Sequence, residues 1–326
     1  MKRKVIIDCD PGIGIHGVDA DDPLALSLAI ASDAFDLVGV TTVFGNVSND
    51  IATRGAIKVL QELERTDIPV ARGMSVPVNG VHPGDIDRAY KEERGTEGAI
   101  PLPQIEGNIS ELNAVDFIIN TVKKYPGEVD IIMLGPQTNL AMALLEEPSI
   151  AKSIGEIVFM GGAMGYEVTY GRGNVTTVAE LNIWHDPLAA QIVFTSGIPI
   201  TMVGLDVTNP AKKTVMYEDA ILKMKNSTKR SGKFLYEVCK VYFESPMFHK
   251  GAGCIMYDPM AVAAYIDRNL VRTKPMKVVV ELNGTHTTGQ TVCLYAPESE
   301  KLMNVCVDVD GESAIAYMTE KLLSLC

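Results

Sequence analysis

KVIIDCDPG (4–12) carries an apolar run straight into aspartate, proline and glycine, and DPLALSLAIAS (22–32) then reads as a helix. The same alternation recurs along the chain. LVGVTTV (37–43) precedes NDIATRGAIKVLQEL (49–63), and VDIIML (129–134) precedes TNLAMALLEE (138–147). EIVFMGG (156–162) comes before DPLAAQIVFTSG (186–197), and IPITMVGLD (198–206) follows that helix. Apolar runs without polar alternation suit strands buried on both faces. Strands alternating with helices then predict an α/β fold, an open, mostly parallel, doubly wound sheet flanked by helices. Such sheets place their sites at the carboxyl ends of the strands.

Outward from that pattern, VVVELNGTHTTGQTV (278–292) reads as a late hairpin and GESAIAYMTEKLLSL (311–325) as a terminal helix. The Gly/Pro-rich, charged stretch 74–111 reads as a long loop, and 226–251 as a helix between loop flanks. Loops of that length are often functional lids. No linker or repeat interrupts the chain, so residues 1–326 are expected to form one domain.

Composition narrows the partners. With 47% hydrophobic residues a large core is available, and a formal charge of −12 argues against nucleic acid or an anionic membrane as partner. Cys9, Cys239, Cys254, Cys293, Cys306 and Cys326 show no CxxC spacing, which argues against a zinc or disulfide scaffold. The apolar run after MKRK is too short for a signal peptide. A cytoplasmic protein is expected.

Candidate chemistry gathers where strand meets helix. Asp8, Asp10, Asp19, Asp21 and Asp22 lie in one glycine-containing stretch after the first strand. Carboxylates converging without basic neighbours repel one another, and a hard divalent cation such as Ca²⁺ or Mg²⁺ removes that cost. The plainer reading is a solvated acidic loop. Asp22, Asp186 and Asp258 each precede proline and an apolar helical pattern, so each also reads as a helix N-cap. Further along, Asn174, Glu180 and Asn182 offer groups that hydrogen-bond sugar hydroxyls, or simply form a polar loop.

Seven segments together carry a family resemblance. VIIDCDPG (5–12) with DADDPLALSLA (19–29) is similar to the N-terminal signature of inosine-uridine-type nucleoside hydrolases. So are TTVFGN (41–46), MLGPQTNLA (133–141), VFMGGAM (158–164), GNVTTVAELNIWHDPLAA (173–190), MVGLDVT (202–208) and YDPMAVAAYID (257–267), in family order. The resemblance implies an open α/β fold, a bound Ca²⁺ and hydrolysis of ribonucleosides to base and ribose. It implies metal ligation by Asp10, Asp22, Asp258 and the Leu134 carbonyl, with Asp10 also the general base. It implies ribose contacts from Asp21, Asn174, Glu180 and Asn182, a pocket wall from Asn46 and Met160, and a homodimer or homotetramer.

Two departures stand out. Eight residues, IGIHGVDA (13–20), stand where the family usually has one, as for a lengthened surface loop. Asp19 is then an alternative to Asp21, and His16 is either a loop residue or an added substrate contact. Tyr257 occupies a position that is commonly histidine in the inosine-uridine subgroup, and Arg94-Gly95 replaces a His-Gly pair. A phenol with a pKa of about 10 is a poor acid toward a leaving base. It is a good stacking surface, which tilts the expectation weakly toward purine nucleosides, the alternatives being uridine and cytidine or a broad range of nucleosides. Two rival readings are a haloacid dehalogenase-type phosphatase, from Asp8-Cys9-Asp10, and a non-catalytic nucleoside-binding module.

Overall fold

In a computed structural model, which describes residues 2–15, 18, 21–80, 100–105, 109–165, 173–244, 253–295 and 302–326, the first apolar run is strand β1 (Lys4–Cys9). Down the chain follow α1 (Asp21–Ser32), β2 (Asp36–Thr42), α2 (Asn49–Glu62), β3 (Val70–Arg72), α3 (Ala114–Lys124) and β4 (Val129–Met133). Next come α4 (Thr138–Glu146), β5 (Ile154–Met160), α5 (Leu181–His185), α6 (Pro187–Phe194), β6 (Ile200–Val203), β7 (Val215–Met216), α7 (Glu218–Lys225) and α8 (Arg230–Glu244). The chain ends with β8 (Cys254–Ile255), α9 (Tyr257–Ile266), β9 (Val271–Val280), β10 (Thr291–Leu294), β11 (Met303–Val309) and α10 (Gly311–Ser324).

Nine strands form one sheet in the order β10-β9-β11-β6-β5-β4-β1-β2-β3. From β3 through β11 the pairings are parallel; β9 pairs antiparallel with both β11 and β10, as the hairpin reading expected. The open, mostly parallel sheet follows from side-chain alternation along strands with no polar face. Val5 and Ile7 join a buried cluster with Leu24 and Leu28 of α1, Ile57 of α2, Met260 of α9 and Met318 of α10. Ile6, between them, joins the other cluster with Ile118 of α3, Leu140 of α4 and Val193 of α6. Successive residues of a strand point to opposite faces, so each face must be covered by its own helical layer. Helix α1 is apolar nearly all round because it lies under α9 and α10 as well as the sheet. Among the described residues no helix is long and apolar enough to cross a membrane.

Strand order also fixes where a site can form. From β1 the chain winds outward through β2 and β3, then returns to place β4 on β1's other side. The carboxyl ends of β1 and β4 therefore border a topological switch point.

Several local expectations need correcting. Asp186 caps α6 as read, accepting from the Ala189 N–H at 3.0 Å. Asp22 and Asp258 do not cap: α1 begins at Asp21 and α9 at Tyr257, so both carboxylates sit inside a first turn and reach across to other elements. The described part of the 13–20 insert is not a surface loop either. Ile13, Ile15 and Val18 are all buried, because an apolar side chain at every such position is worth removing from water. Helix α3 was missed although its signal was present: Asn113 caps it, accepting from the Asp116 N–H at 2.9 Å. His16, Asp19, Arg94 and Gly95, most of 74–111 and the end of 226–251 lie outside the described residues.

Candidate active site

Each strand at the switch point hands a group to the same place. Asp10 follows the last residue of β1, Asn46 lies in the turn after β2, Leu134 follows β4, and Met160 ends β5. Asp10 is fully buried. Its Oδ2 accepts from the Asn46 backbone N–H at 2.6 Å, and its own N–H donates to Asp22 Oδ1 at 3.0 Å. The Asn46 side-chain amide donates to Asp22 Oδ2 at 3.0 Å, so one asparagine holds both carboxylates in place. Glycine at 45 is a spatial requirement, since a Cβ there would lie 1.8 Å from Asp10 Oδ2.

Asp21 and Asp22 enter on the first turn of α1, and Asp258 on the first turn of α9. The backbone N–H of Asp258 donates to Asp21 Oδ2 at 3.1 Å, which locks the two helix starts together. Strand β8 sets the entry to α9 by pairing with β7, and the Met256 N–H donates to the Thr214 carbonyl at 3.0 Å. As a result Asp21, Asp22 and Asp258, all buried, bring carboxylate oxygens within 4.8 Å of one another. Asp10 stands beside this trio through its bond to Asp22.

The other half of the site hangs from one amide. Asn182 donates from Nδ2 to the Leu134 carbonyl at 2.7 Å and to the Met160 carbonyl at 3.1 Å, joining the ends of β4 and β5. Glu180 caps α5: its Oε1 accepts from the Asn182 N–H at 2.9 Å, and its Oε2 from Gly162 and Ile183 N–H groups at 2.9 and 3.1 Å. Much of what looked like a sugar-binding carboxylate is therefore occupied in shaping the loop. Asn174 is exposed, with Oδ1 accepting from the Leu181 N–H at 2.9 Å. Tyr257 is half-buried immediately before Asp258.

Electrostatics mark the cluster off from ordinary ion pairs. Burial, and then the neighbouring Asp22 charge, hold the Asp10 carboxyl well above the usual carboxylate range, against the opposing pull of the Asn46 N–H. Burial pushes Asp22 up to about 6, although hydrogen bonds from Asp10 and Asn46 pull the other way. Glu180 is also raised by burial, moderated by the backbone N–H groups that it accepts from. Burial and mutual repulsion raise the proton affinity of these converging carboxylates. An all-oxygen donor set of this kind fits a hard divalent cation.

Sequence reading passed over a neighbouring knot. Asp8 is buried and accepts through Oδ1 from Thr41 Oγ1 and from Asn139 Nδ2 at 2.7 Å. Asn139 also donates to the Thr42 carbonyl at 3.0 Å, and its Oδ1 accepts from the Met74 N–H at 2.8 Å. Burial pushes Asp8 up to about 7. This carboxyl ties β1, β2 and α4 together beneath the site. The signal available in the sequence was Asn139, a polar residue at the start of the apolar TNLAMALLEE pattern.

Comparison with known proteins places the chain among nucleoside hydrolases. Uridine nucleosidase 1 of Arabidopsis thaliana is 37% identical, over 98% of this chain and 93% of its own. The pyrimidine-specific ribonucleoside hydrolase RihB of Escherichia coli is 34% identical, over 95% and 94%. Among solved structures, the purine-preferring ribonucleoside hydrolase from Gardnerella vaginalis superposes with a TM-score of 0.85 at 32% identity, covering 99% of each chain. A plant nucleoside hydrolase, PpNRh1, superposes at 0.82 and 29% identity, over 99% of this chain and 100% of its own. The family model for the inosine-uridine preferring nucleoside hydrolases matches residues 5–316, a span that takes in nearly the whole described sheet. A switch-point site built of buried aspartates, on a chain matched from end to end, makes this protein a member of the inosine-uridine preferring nucleoside hydrolase family.

Proposed function

We propose that this chain hydrolyses the N-glycosidic bond of ribonucleosides to free base and ribose, with Ca²⁺ held by Asp10, Asp22, Asp258 and the Leu134 carbonyl. The observation that carries the reading is the trio of buried carboxylates within 4.8 Å, with Asp10 bonded to it. When bound, such an ion lowers the pKa of a water and orients the ribose hydroxyls. Asp10, buried and held in place by the Asn46 N–H, would take the water's proton. Asn46 keeps Asp10 and Asp22 from turning away from each other. Asn182 spends its Nδ2 on two carbonyls, which leaves Oδ1 to accept from a ribose hydroxyl. Asp21, Asn174 and Glu180 complete that side. Departure of the base leaves oxocarbenium character on ribose, which these carboxylates and amides stabilise.

Tyr257, half-buried beside Asp258, supports a preference for purine bases, since a wider ring gains more from stacking. A uridine preference is the second reading, supported by the 37% identity to a uridine nucleosidase. Reducing-sugar release from inosine, guanosine, adenosine, uridine and cytidine, with calcium present, tests both. Release from the purine nucleosides first, and a Tyr257→Ala loss greater on inosine than on uridine, is the expected result. Uridine outrunning every purine would select the second reading, and no release from any of the five would sink the enzyme assignment.

A further inference from the structure

The insert at 13–20 has no role in the reading above, yet its described residues are among the most buried near the site. Val18 closes over Gly12, where a Cβ would lie 2.2 Å from Val18 Cγ1 and 2.9 Å from Val47 Cγ1. Ile15, Val18, Val47 and Ala52 form a separate small apolar cluster, with Ile51 packed against it. Val47 is the residue after Asn46, and its carbonyl accepts from the Gly45 N–H at 3.0 Å, closing the turn that presents Asn46. That turn is the one whose N–H and side-chain amide fix Asp10 and Asp22. On its other side the insert meets Ile100: Gly14 has φ of +68°, and a Cβ there would lie 2.9 Å from Ile100 Cβ. Arg54 of α2 clasps the same segment, donating to the Pro103 carbonyl at 2.8 Å and to Leu102 at 3.3 Å.

From these contacts we infer that Val18 is a positioning residue for the metal site, acting through Val47 on the Asn46 turn. The described residues of the insert are thus an apolar brace that tightens cation binding in this chain. The inference rests on the calcium reading proposed above. Its test is a calcium titration of the chelator-treated full chain, alongside Val18→Ala, Val18→Ile, Val47→Ala and the Val18→Ala/Val47→Ala double variant. Val18→Ala is expected to weaken calcium binding about tenfold, the lower end of what groups supporting metal ligands contribute. Its kcat at saturating calcium should stay within about threefold of wild type, and Val18→Ile should restore the affinity. The double variant should be little worse than the worse single one, because both changes break one chain of contacts. Wild-type calcium affinity in Val18→Ala overturns the inference. So does a loss of Tm that is equal with calcium and with chelator, the mark of a merely structural residue. A wild-type chain that binds no calcium would remove the metal reading, and this inference with it.

Discussion

The two ends of the sheet both bury carboxylates, and they solve the resulting problem in opposite ways. At the amino end, Asp130 on β4 accepts from Arg3 Nε at 2.7 Å, from Tyr265 Oη at 2.7 Å and from the Glu156 N–H at 2.9 Å. Glu156 in turn accepts from Arg268 at 2.7 and 2.8 Å. At the carboxyl end, Asp10, Asp21, Asp22 and Asp258 meet one another, and what holds them is amide N–H groups. Helix α9 bridges the two, carrying Asp258 in its first turn and Tyr265 in its last. The difference teaches how to tell scaffold from site. A buried carboxylate paired with a guanidinium is already neutralised; several that converge on one another are the arrangement that a cation would relieve.

The largest effect should come from breaking the carboxyl end. Asp10→Ala is expected to lower kcat by about 10³-fold or more, the scale of losing a general base together with a metal ligand. In chelator its Tm should equal or exceed that of wild type, because the change removes a buried charge that its neighbours repel. A melt that falls by many degrees in chelator would make this end scaffold after all. The amino end should respond the other way. Asp130→Asn leaves Arg3 without its carboxylate and is expected to cost about 2 kcal/mol, a figure held down because water screens the half-exposed Arg3. Thermal melts should show that loss with and without calcium, while kcat stays within about threefold of wild type.

The comparison is sharpened by pH, with a smaller effect. Asp22 rises in the folded chain from the ordinary 3.8 to about 6. A raised folded pKa means that the native state holds its proton longer than the unfolded chain does. Stability from that group is therefore present at low pH and lost as pH climbs from about 4 to about 6, at roughly 1.4 kcal/mol per unit. On the calcium reading proposed above, the ion would bind the deprotonated carboxylates and so reverse the trend. The calcium-induced rise in Tm should be full at about pH 7.5 and shrink steadily toward about pH 5. A calcium effect independent of pH over that range would place the ion elsewhere.

Much of this was legible in the sequence. Apolar runs such as VIID and DIIM, without a polar face, sufficed for a sheet covered on both sides, and β–α alternation for its mostly parallel character; the order of the strands was not legible. Asp10, Asp22 and Asp258 could be picked out by type and by family resemblance. What stayed hidden was how many jobs a polar group had. Glu180 and Asn182 read as sugar contacts alone, and nothing local says that their atoms also bond Gly162, Ile183, Leu134 and Met160. The same holds for Asp8 and Asn139, which are 131 residues apart and meet only through β-sheet pairing. The insert misled for a different reason. Its glycines read as a loop, while Ile13, Ile15 and Val18, spaced too irregularly for helix or strand, gave no periodic signal of burial.

Calcium titration of the chelator-treated chain by calorimetry, at about pH 7.5, where the carboxylates are free to deprotonate, tests the account most directly. It predicts a single ion per chain, with binding weakened severely by Asp22→Asn and by Asp258→Asn. Ribose release should return in step with occupancy. A chain that takes up no calcium and hydrolyses nucleosides equally well in chelator would contradict it.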